Sequence, residues 1–186
     1  PAAQQYSIDE CFLDITGMPD DHDDYGQAVR AKVKQWTGIP VGVGIAETKT
    51  LAKAANRIAK VSKKADGVLN LVGSQWREKA LEMTEVGDVW GVGKQFAKKL
   101  HRNGVKTALD LVHQPDGWIR KEMGVGGLKT VRELRNEDCI GFESIPKPKQ
   151  TTLVSRSFGQ AVTDLDELIN AVTVFATTAA ADIRKA

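Results

Sequence analysis

The sequence predicts an α+β fold, with a small sheet covered on one face by helices and a purely helical region after it. Three apolar runs, at residues 6–16, 39–45 and 68–71, are typical of strands, and helical spacing of apolar residues fills the segments between them. This order of strand, helix, strand, helix and strand favours a sheet packed on one side by helices. Helical spacing alone continues over residues 76–135.

The composition of the chain is that of a soluble globular protein with one large or two small domains. It has 186 residues, of which 41% are hydrophobic and 27% charged, and a net charge of +2. Any surface that binds nucleic acid must therefore be a local cluster of basic residues. No apolar run is long enough to cross a bilayer, and no signal peptide is visible. Cys11 and Cys139 fit neither a disulfide framework nor a paired metal motif, which predicts a reducing, cytoplasmic location.

The first predicted strand contains two adjacent carboxylates, Asp9 and Glu10, with no Lys or Arg before Arg30. Carboxylates inside an apolar strand are costly unless they are paired or bind a metal. Because neighbouring side chains in a strand point to opposite faces, we expect a tight bend between Asp9 and Glu10. Hard oxygen ligands favour Mg²⁺ or Mn²⁺, and two such ions are the usual clamp for phosphoryl transfer. The alternative is an exposed loop with two ordinary acids, which is common for such a pair.

A helix is expected after the first strand, with apolar residues spaced from Tyr25 to Trp36. The aspartates at positions 20–24 complement the dipole at its N-terminus, so we assign them no metal, and Asp14 is also interpreted as structural. In the next strand, Gly42 and Gly44 would let another element pack close.

The second predicted helix, from Thr48 as its cap to about Lys64, carries a basic stripe. Its cations are spaced so that they line one face: Lys49, Lys53, Arg57, Lys60 and Lys64. The opposite apolar stripe, which would pack on the sheet, contains Leu51, Ala54, Ala55 and Ile58. The basic face is either a solvated surface or an anion site for nucleotide or DNA phosphates.

A turn at Asp66 and Gly67 precedes the third strand, and a short helix follows in which Trp76, Ala80 and Met83 are interpreted as core residues. Later in the chain, the glycines at 124–127 are interpreted as a plain helix connection. His22, His101 and His113 share no metal spacing.

Residues 86–111 predict two short helices joined by a glycine-bearing hairpin, with Gly104 as a C-cap. The predicted phosphate site comprises Gly91, Val92, Gly93 and Lys94, because glycines permit close approach and the next helix begins with free N–H groups. Residues 94–106 carry only basic charges, on Lys94, Lys98, Lys99, Arg102 and Lys106. This segment resembles the helix-hairpin-helix motif of non-specific DNA-binding proteins. A glycine turn in a helical bundle is the alternative.

The last part of the sequence predicts a linker, a strand and a helix. Residues 141–150 have the proline and lysine content of an extended linker. Residues 151–158 are β-branched and contain Ser155, Arg156 and Ser157, which either contact phosphates or belong to an ordinary exposed strand. Asp164 or Asp166 would start the final helix.

Several motifs occur in order along the chain: the run from Tyr6 to Asp14, the segment from Val43 to Ala46 with Lys49, Ala52, Lys53 and Lys60, and the hairpin from Trp90 to Gly93. Taken together, these motifs resemble Y-family DNA polymerases, and best the UmuC-type subunit of bacterial DNA polymerase V with its plasmid-borne relatives. The resemblance implies that residues 1–74 form the C-terminal part of a palm with a mixed or antiparallel sheet. Residues 75–140 would form an all-α thumb, and residues 151–186 the start of an α+β little finger.

The resemblance also implies roles for individual residues. Asp9 and Glu10 would bind the two-metal centre, Lys60 would hold the triphosphate of the incoming dNTP, and the hairpin would hold the primer backbone. Ser155, Arg156 and Ser157 would hold the template backbone. Primer-template DNA is the implied substrate, and a UmuD-type accessory subunit, RecA and a sliding clamp are implied partners.

The chain departs from the family pattern at its ends. A further metal-binding aspartate and the fingers domain would lie before Pro1, and most of the little finger after Ala186. We therefore expect a fragment without a complete metal site and without polymerase activity of its own. Two other readings stay open: a non-catalytic DNA-binding or scaffold module, and a palm-like nucleotide cyclase.

Overall fold

The computed structural model describes residues 2–18, 21–142 and 151–185. Within these ranges, local sequence signals such as caps and glycines mark several of the element boundaries. The elements are β1 Ala2–Gln5, β2 Cys11–Asp14, α1 His22–Thr37, β3 Val43–Ile45, α2 Lys49–Val61, β4 Val68–Asn70, α3 Arg77–Met83, a 3₁₀ turn Val86–Asp88, α4 Lys94–Arg102, α5 Ala108–Val112, α6 Asp116–Leu134 and α7 Leu165–Lys185. The chain divides into two units, residues 1–144 and 145–186.

Strand pairing is more fragmented than the single sheet that the sequence predicted. β1 and β2 form an antiparallel hairpin in which Gln5 lies opposite Cys11. β3 and β4 form a separate parallel pair, with Val43 opposite Val68, and α2 is the crossover between them. The predicted strand at residues 6–16 is wrong over residues 6–10, because the Glu10 carbonyl accepts hydrogen bonds from the Tyr6 and Ser7 amides and closes a turn there.

The aspartates lie at the N-terminus of α1, as predicted, and one of them also caps the helix. The Asp21 carboxylate accepts a hydrogen bond from the Asp24 amide at 3.2 Å, and Asp23 and Asp24 lie in the first turn. Asp20 lies outside the described residues. The helix ends at Gly38, whose φ of +74° places it in the left-handed region.

α2 packs directly on β3 because one glycine has no side chain. A Cβ at Gly44 would lie 2.2 Å from the Ala52 carbonyl oxygen and 2.2 Å from the Asn56 nitrogen. The predicted cap is confirmed, since the Thr48 hydroxyl accepts a hydrogen bond from the Leu51 amide. The apolar stripe of α2 is buried as predicted, whereas the helix ends at Val61 and leaves Lys64 beyond it.

The helical region shares one core with the N-terminal half of α2. This core includes Leu51, Val86, Leu100, Leu111, Ile119 and Leu134. α6 bends at Gly124, where φ is +73° and ψ is −168°, so the predicted helix connection is confirmed. The assignment of Trp76 and Met83 to the core is wrong: they are 62% and 59% exposed, because the short α3 buries only Ala80 and Leu81.

The second unit contains α7, which buries none of its residues. The strand predicted at residues 151–158 is not formed, because a strand needs a neighbour and the described part of this unit otherwise contains only a helix. Asp164 caps α7 by accepting a hydrogen bond from the Glu167 amide at 3.0 Å. Most of the predicted linker, residues 143–150, lies outside the described residues. None of the helices in the described ranges has the length and apolar content that a membrane span requires.

Candidate active site and nucleic-acid interface

The two adjacent carboxylates lie in the turn between β1 and β2. The predicted bend is present, but it spans residues 6–10 rather than a single point within a continuous strand. At its tip the Ser7 hydroxyl donates a hydrogen bond of 2.6 Å to the Asp9 carboxylate. This hydrogen bond holds the pKa of Asp9 below its ordinary value, and the positive charges of Lys60 and Lys53 act in the same direction. Asp9 is therefore an anion at neutral pH.

Glu10 faces a cation supplied by α2. Lys53 Nζ lies 2.5 Å from Glu10 Oε1 and 5.5 Å from the centre of the Tyr6 ring. Because this carboxylate already accepts an ammonium group, its position suits a cation, and the hard oxygen donors of both acids fit Mg²⁺ or Mn²⁺. Across the described ranges, no three His, Cys, Asp or Glu side chains are grouped closely enough to hold a metal ion, so these two acids would supply part of a ligand set.

Asp14 has the structural role that its sequence context indicated. Its carboxylate accepts a hydrogen bond of 3.0 Å from the Thr16 amide, which holds the loop after β2. The Thr16 side chain, and after it this amide bond, also keeps the pKa of Asp14 below its ordinary value. Asp14 is therefore explained without a metal ion.

The basic face of α2 is only partly a free anion site. Lys49 donates to Gln4 at 2.5 Å and lies over the Phe12 ring, and Arg57 forms an ion pair with Asp88. Lys60 is exposed and, within the ranges that the structure describes, forms no ion pair. The stem of Lys60 lies over Gly42, where a Cβ would come within 2.8 Å of the lysine Cγ. Of the predicted stripe, Lys60 is thus the cation left available beside the acid turn.

The glycine hairpin begins immediately after the 3₁₀ turn and leads into α4. Gly91 has a φ of +89°, Val92 is buried, and Gly93 is the N-cap residue of α4 without a side-chain cap. The first N–H groups of α4 therefore have no side chain from the cap residue in front of them. These are the amides that the sequence suggested as a backbone site for a phosphate, and that role stays a prediction.

The two hairpin glycines have different reasons to lack a side chain. A Cβ at Gly91 would lie 2.7 Å from the Thr130 hydroxyl, and the positive φ would strain any other residue. Gly93 has an ordinary φ of −76°, and a Cβ there would meet nothing within 4 Å. Thr130 of α6 therefore occupies the space that a side chain at Gly91 would need, whereas the corresponding space at Gly93 is open. That this hairpin binds a phosphate stays a prediction.

An aromatic cluster joins the acid turn to the hairpin, a contact that no sequence spacing indicated. Trp90 Nε1 donates a hydrogen bond of 2.8 Å to the Tyr6 hydroxyl, and the two rings meet edge to face with centres 5.4 Å apart. Phe12 completes the cluster at 5.8 Å from Tyr6 and 5.7 Å from Trp90. The candidate metal turn and the candidate phosphate hairpin are therefore neighbours.

The cations that follow the hairpin are exposed, as a surface for a DNA backbone requires. Lys99 is less available for a phosphate than the other cations, because its Nζ already lies 3.0 Å from the Glu122 carboxylate. Lys94, Lys98, Arg102 and Lys106 are exposed. In the second unit, Ser155, Arg156 and Ser157 are also exposed, and Arg156 donates to the Ser155 carbonyl at 2.8 Å.

A family model described as the impB/mucB/samB family matches residues 1–57, which include both acids of the turn. Protein UmuC of Salmonella typhimurium is 46% identical over 187 residues, covering 99% of this chain and 44% of that protein. The chain belongs to the impB/mucB/samB family. A DNA polymerase IV of Brucella melitensis is 32% identical over 147 residues, which cover 77% of this chain and 32% of that protein.

Solved structures resemble this chain in fold. A Dbh ternary complex has a TM-score of 0.60 and 23% identity, with 77% of this chain and 43% of that chain covered. The chain spans less than half the length of the curated relatives it matches, 44% in the case of UmuC. The matched part of this chain contains the acid turn, the basic α2 and the hairpin.

Proposed function

We propose that this chain is part of an error-prone Y-family DNA polymerase that extends a primer past damaged template bases, the reaction of translesion synthesis and SOS DNA repair. The observation that carries the proposal is the pairing of an acid turn with a glycine hairpin through the Tyr6–Trp90 hydrogen bond. A nucleotidyl transferase needs carboxylates that bind metal ions next to a surface that binds the nucleic-acid backbone, and this arrangement supplies both.

Asp9 and Glu10 are the residues that would hold Mg²⁺, with Mn²⁺ as the other metal of suitable chemistry. A bound metal ion supplies a Lewis acid for the primer 3′ hydroxyl and the transferred phosphoryl group. Ser7 keeps Asp9 ionised and oriented through its 2.6 Å hydrogen bond. Lys53 neutralises Glu10 in the absence of metal and is close enough to the turn to offset phosphate charge once displaced.

Substrate contacts follow from the remaining exposed groups. Lys60 would bind the triphosphate of the incoming dNTP, and the amides that follow Gly93 would bind a primer phosphate together with Lys94. Ser155, Arg156 and Ser157 would bind the template backbone. In this proposal residues 1–74 form part of a palm, residues 75–140 a thumb with its helix-hairpin-helix motif at residues 86–111, residues 141–150 a linker and residues 151–186 the start of a little finger.

The whole protein would act on DNA in the bacterial cytoplasm. A UmuD-type accessory subunit, RecA and a sliding clamp are proposed partners on the strength of the family, and this chain by itself would be inactive. The second candidate function is a non-catalytic DNA-binding or scaffold module, which the open hairpin and the exposed cations of α4 favour equally. The Lys53–Glu10 pair beside that hairpin favours the enzyme, since a scaffold needs no carboxylate turn there.

Primer extension tests the proposal. A full-length family protein containing this chain should extend a primer on a lesion-bearing template with Mg²⁺. Asp9→Ala should reduce the rate by about 10²- to 10³-fold, as loss of a charge-stabilising catalytic group does. Asp14→Ala is the matched control, because Asp14 lies in the same β1–β2 hairpin but its carboxylate only holds the loop after β2. This variant should retain primer extension. Extension that survives in Asp9→Ala would remove Asp9 from the metal site. DNA binding without extension, with accessory subunits present, would favour the scaffold.

A further inference from the structure

Glu133, near the end of α6, is a fully buried carboxylate that the proposed chemistry does not use. Burial of a carboxylate is costly unless hydrogen bonds or opposite charge compensate it. In the described ranges no ion pair includes Glu133. The compensation must come from hydrogen bonds, and their donors identify what this side chain holds.

Each carboxylate oxygen of Glu133 accepts two hydrogen bonds. Oε2 accepts from the amide and the hydroxyl of Thr50, each at 3.0 Å. Oε1 accepts from the amides of Cys139 and Ile140, at 3.1 and 3.0 Å. The Glu133 carbonyl also accepts a hydrogen bond of 2.9 Å from the hydroxyl of Thr48, the cap of α2.

These donors make Glu133 a remote cap for α2. The first turn of α2 contains no acid of its own, so α6 supplies the negative charge that the helix N-terminus favours. An apolar residue would fill the space without the desolvation cost. A carboxylate instead fixes both the position and the rotation of α2 through directional bonds.

The rotation of α2 determines where its lysines meet the acid turn. Lys49, next to Thr50, contacts Gln4 and the rings of Phe12 and Phe142, and Lys53 binds Glu10 one turn later. Glu133 also fixes the amides of residues 139 and 140, close in sequence to Phe142. A single buried side chain thus holds both the start of α2, which carries Lys49, and the segment that leads to Phe142, which Lys49 contacts.

We infer that Glu133 is a positioning residue for the candidate active site, acting through α2 on Lys53, Lys60 and the turn that carries Asp9 and Glu10. It touches neither substrate nor metal. Its importance for catalysis depends on the proposed function, whereas its control of the turn geometry does not.

Glu133→Gln tests this inference while preserving the shape of the side chain. The amide offers one acceptor oxygen in place of two, so at least one pair of donors loses its partner. The matched control is Glu137→Gln, which removes the same charge near the end of α6 from an exposed side chain 3.8 Å from Arg132. The first readout is the set of backbone amide resonances of residues 7–11 in this chain, which requires no enzymatic activity.

We expect those resonances to shift in Glu133→Gln and to stay in place in Glu137→Gln. If Glu133→Gln does not fold, Thr50→Val removes one hydroxyl donor and keeps the amide, and it should shift the same resonances less. A lowered melting temperature with unchanged resonances at residues 7–11 would overturn the inference and leave Glu133 a purely stabilising contact.

The second readout separates the inference from the proposed function. In a full-length protein with polymerase activity, Glu133→Gln should raise the KM for the incoming nucleotide by about three- to tenfold, because Lys60 moves with α2. Glu137→Gln should leave this KM unchanged. If the resonances shift in the Glu133→Gln variant of this chain but the unsubstituted full-length protein has no polymerase activity, the proposed function is refuted and the positioning role is still supported.

Discussion

Asp9 and Glu10 are adjacent in sequence but differ in what binds their carboxylates. A neutral hydroxyl donates to Asp9, whereas an ammonium group pairs with Glu10. In the proposed metal site, Asp9 would keep its charge through a local bond that a metal ion need not displace, while Glu10 would have to exchange Lys53 for the metal. We therefore expect the two carboxylates to respond to different substitutions.

Ser7→Ala should raise the pKa of Asp9 toward its ordinary value of about 3.9, because the hydroxyl is the main cause of the lowered pKa. Carboxyl carbon NMR across an acid titration measures this directly. Ser157→Ala, an exposed serine in the second unit, is the control and should leave the Asp9 titration unchanged. An Asp9 pKa that does not move would mean that the nearby lysines dominate it.

At the scale of elements, the hairpin before α4 gives a prediction that depends on the different surroundings of its two glycines. Gly93→Val should keep the fold and weaken duplex binding by about tenfold regardless of sequence, because its side chain projects into the open space in front of the α4 amides. Gly91→Val should instead destabilise the protein, since it combines a positive φ with a clash against Thr130.

Circular-dichroism melting and fluorescence anisotropy with labelled duplex separate these two effects. Gly126→Val supplies the control, because Gly126 is an exposed glycine of α6 and a Cβ there also meets nothing within 4 Å. Unchanged duplex affinity in a folded Gly93→Val protein would remove the hairpin from the DNA interface.

The two ends of α6 are tied by Asp116, whose pKa is held low by hydrogen bonds from Arg132 and Arg135. A carboxyl group with a lower pKa in the folded state stabilises the protein above its unfolded pKa, and this stabilisation is lost as pH falls through the folded value. The melting temperature should therefore drop below about pH 4. Asp116→Asn should flatten part of that drop and lower the melting temperature at neutral pH.

Glu82→Gln is the control for this acid response, because the Lys79–Glu82 pair is exposed on α3. Its acid profile should match that of the unmodified protein. An unaltered profile in Asp116→Asn would show that other carboxylates determine the acid sensitivity.

Elements with local signals were predictable from the sequence, and those that depend on distant partners were not. The Thr48 cap of α2 and the acidic start of α1 follow from residues within one turn, and Gly44 signalled close packing because no side chain is tolerated there. The Tyr6–Trp90 bond joins residues 84 positions apart, which periodicity cannot show. The strand expected at residues 151–158 failed for the same reason, since a pairing partner is not encoded in the strand itself.

On the scale of the whole molecule, a net charge of +2 means that DNA affinity must come from a local surface. With four exposed cations on and after α4 (Lys94, Lys98, Arg102 and Lys106), the logarithm of duplex affinity should fall against the logarithm of salt concentration with a slope of about −3 to −4. Lys98→Ala should reduce the magnitude of this slope by about one. Lys79→Ala, which removes a cation paired on α3, should leave it unchanged; a slope near zero for the unmodified chain would contradict a phosphate-binding surface.

The bond between Thr50 and Glu133 also has a consequence for protein synthesis. The two residues are 83 positions apart, and at a rate of roughly 5–20 residues per second the ribosome needs about 4–17 s to make that interval. During this time the nascent chain carries α2 and the acid turn without the carboxylate that caps the helix. The candidate active site is therefore completed late, only after the helical region that follows it has been translated.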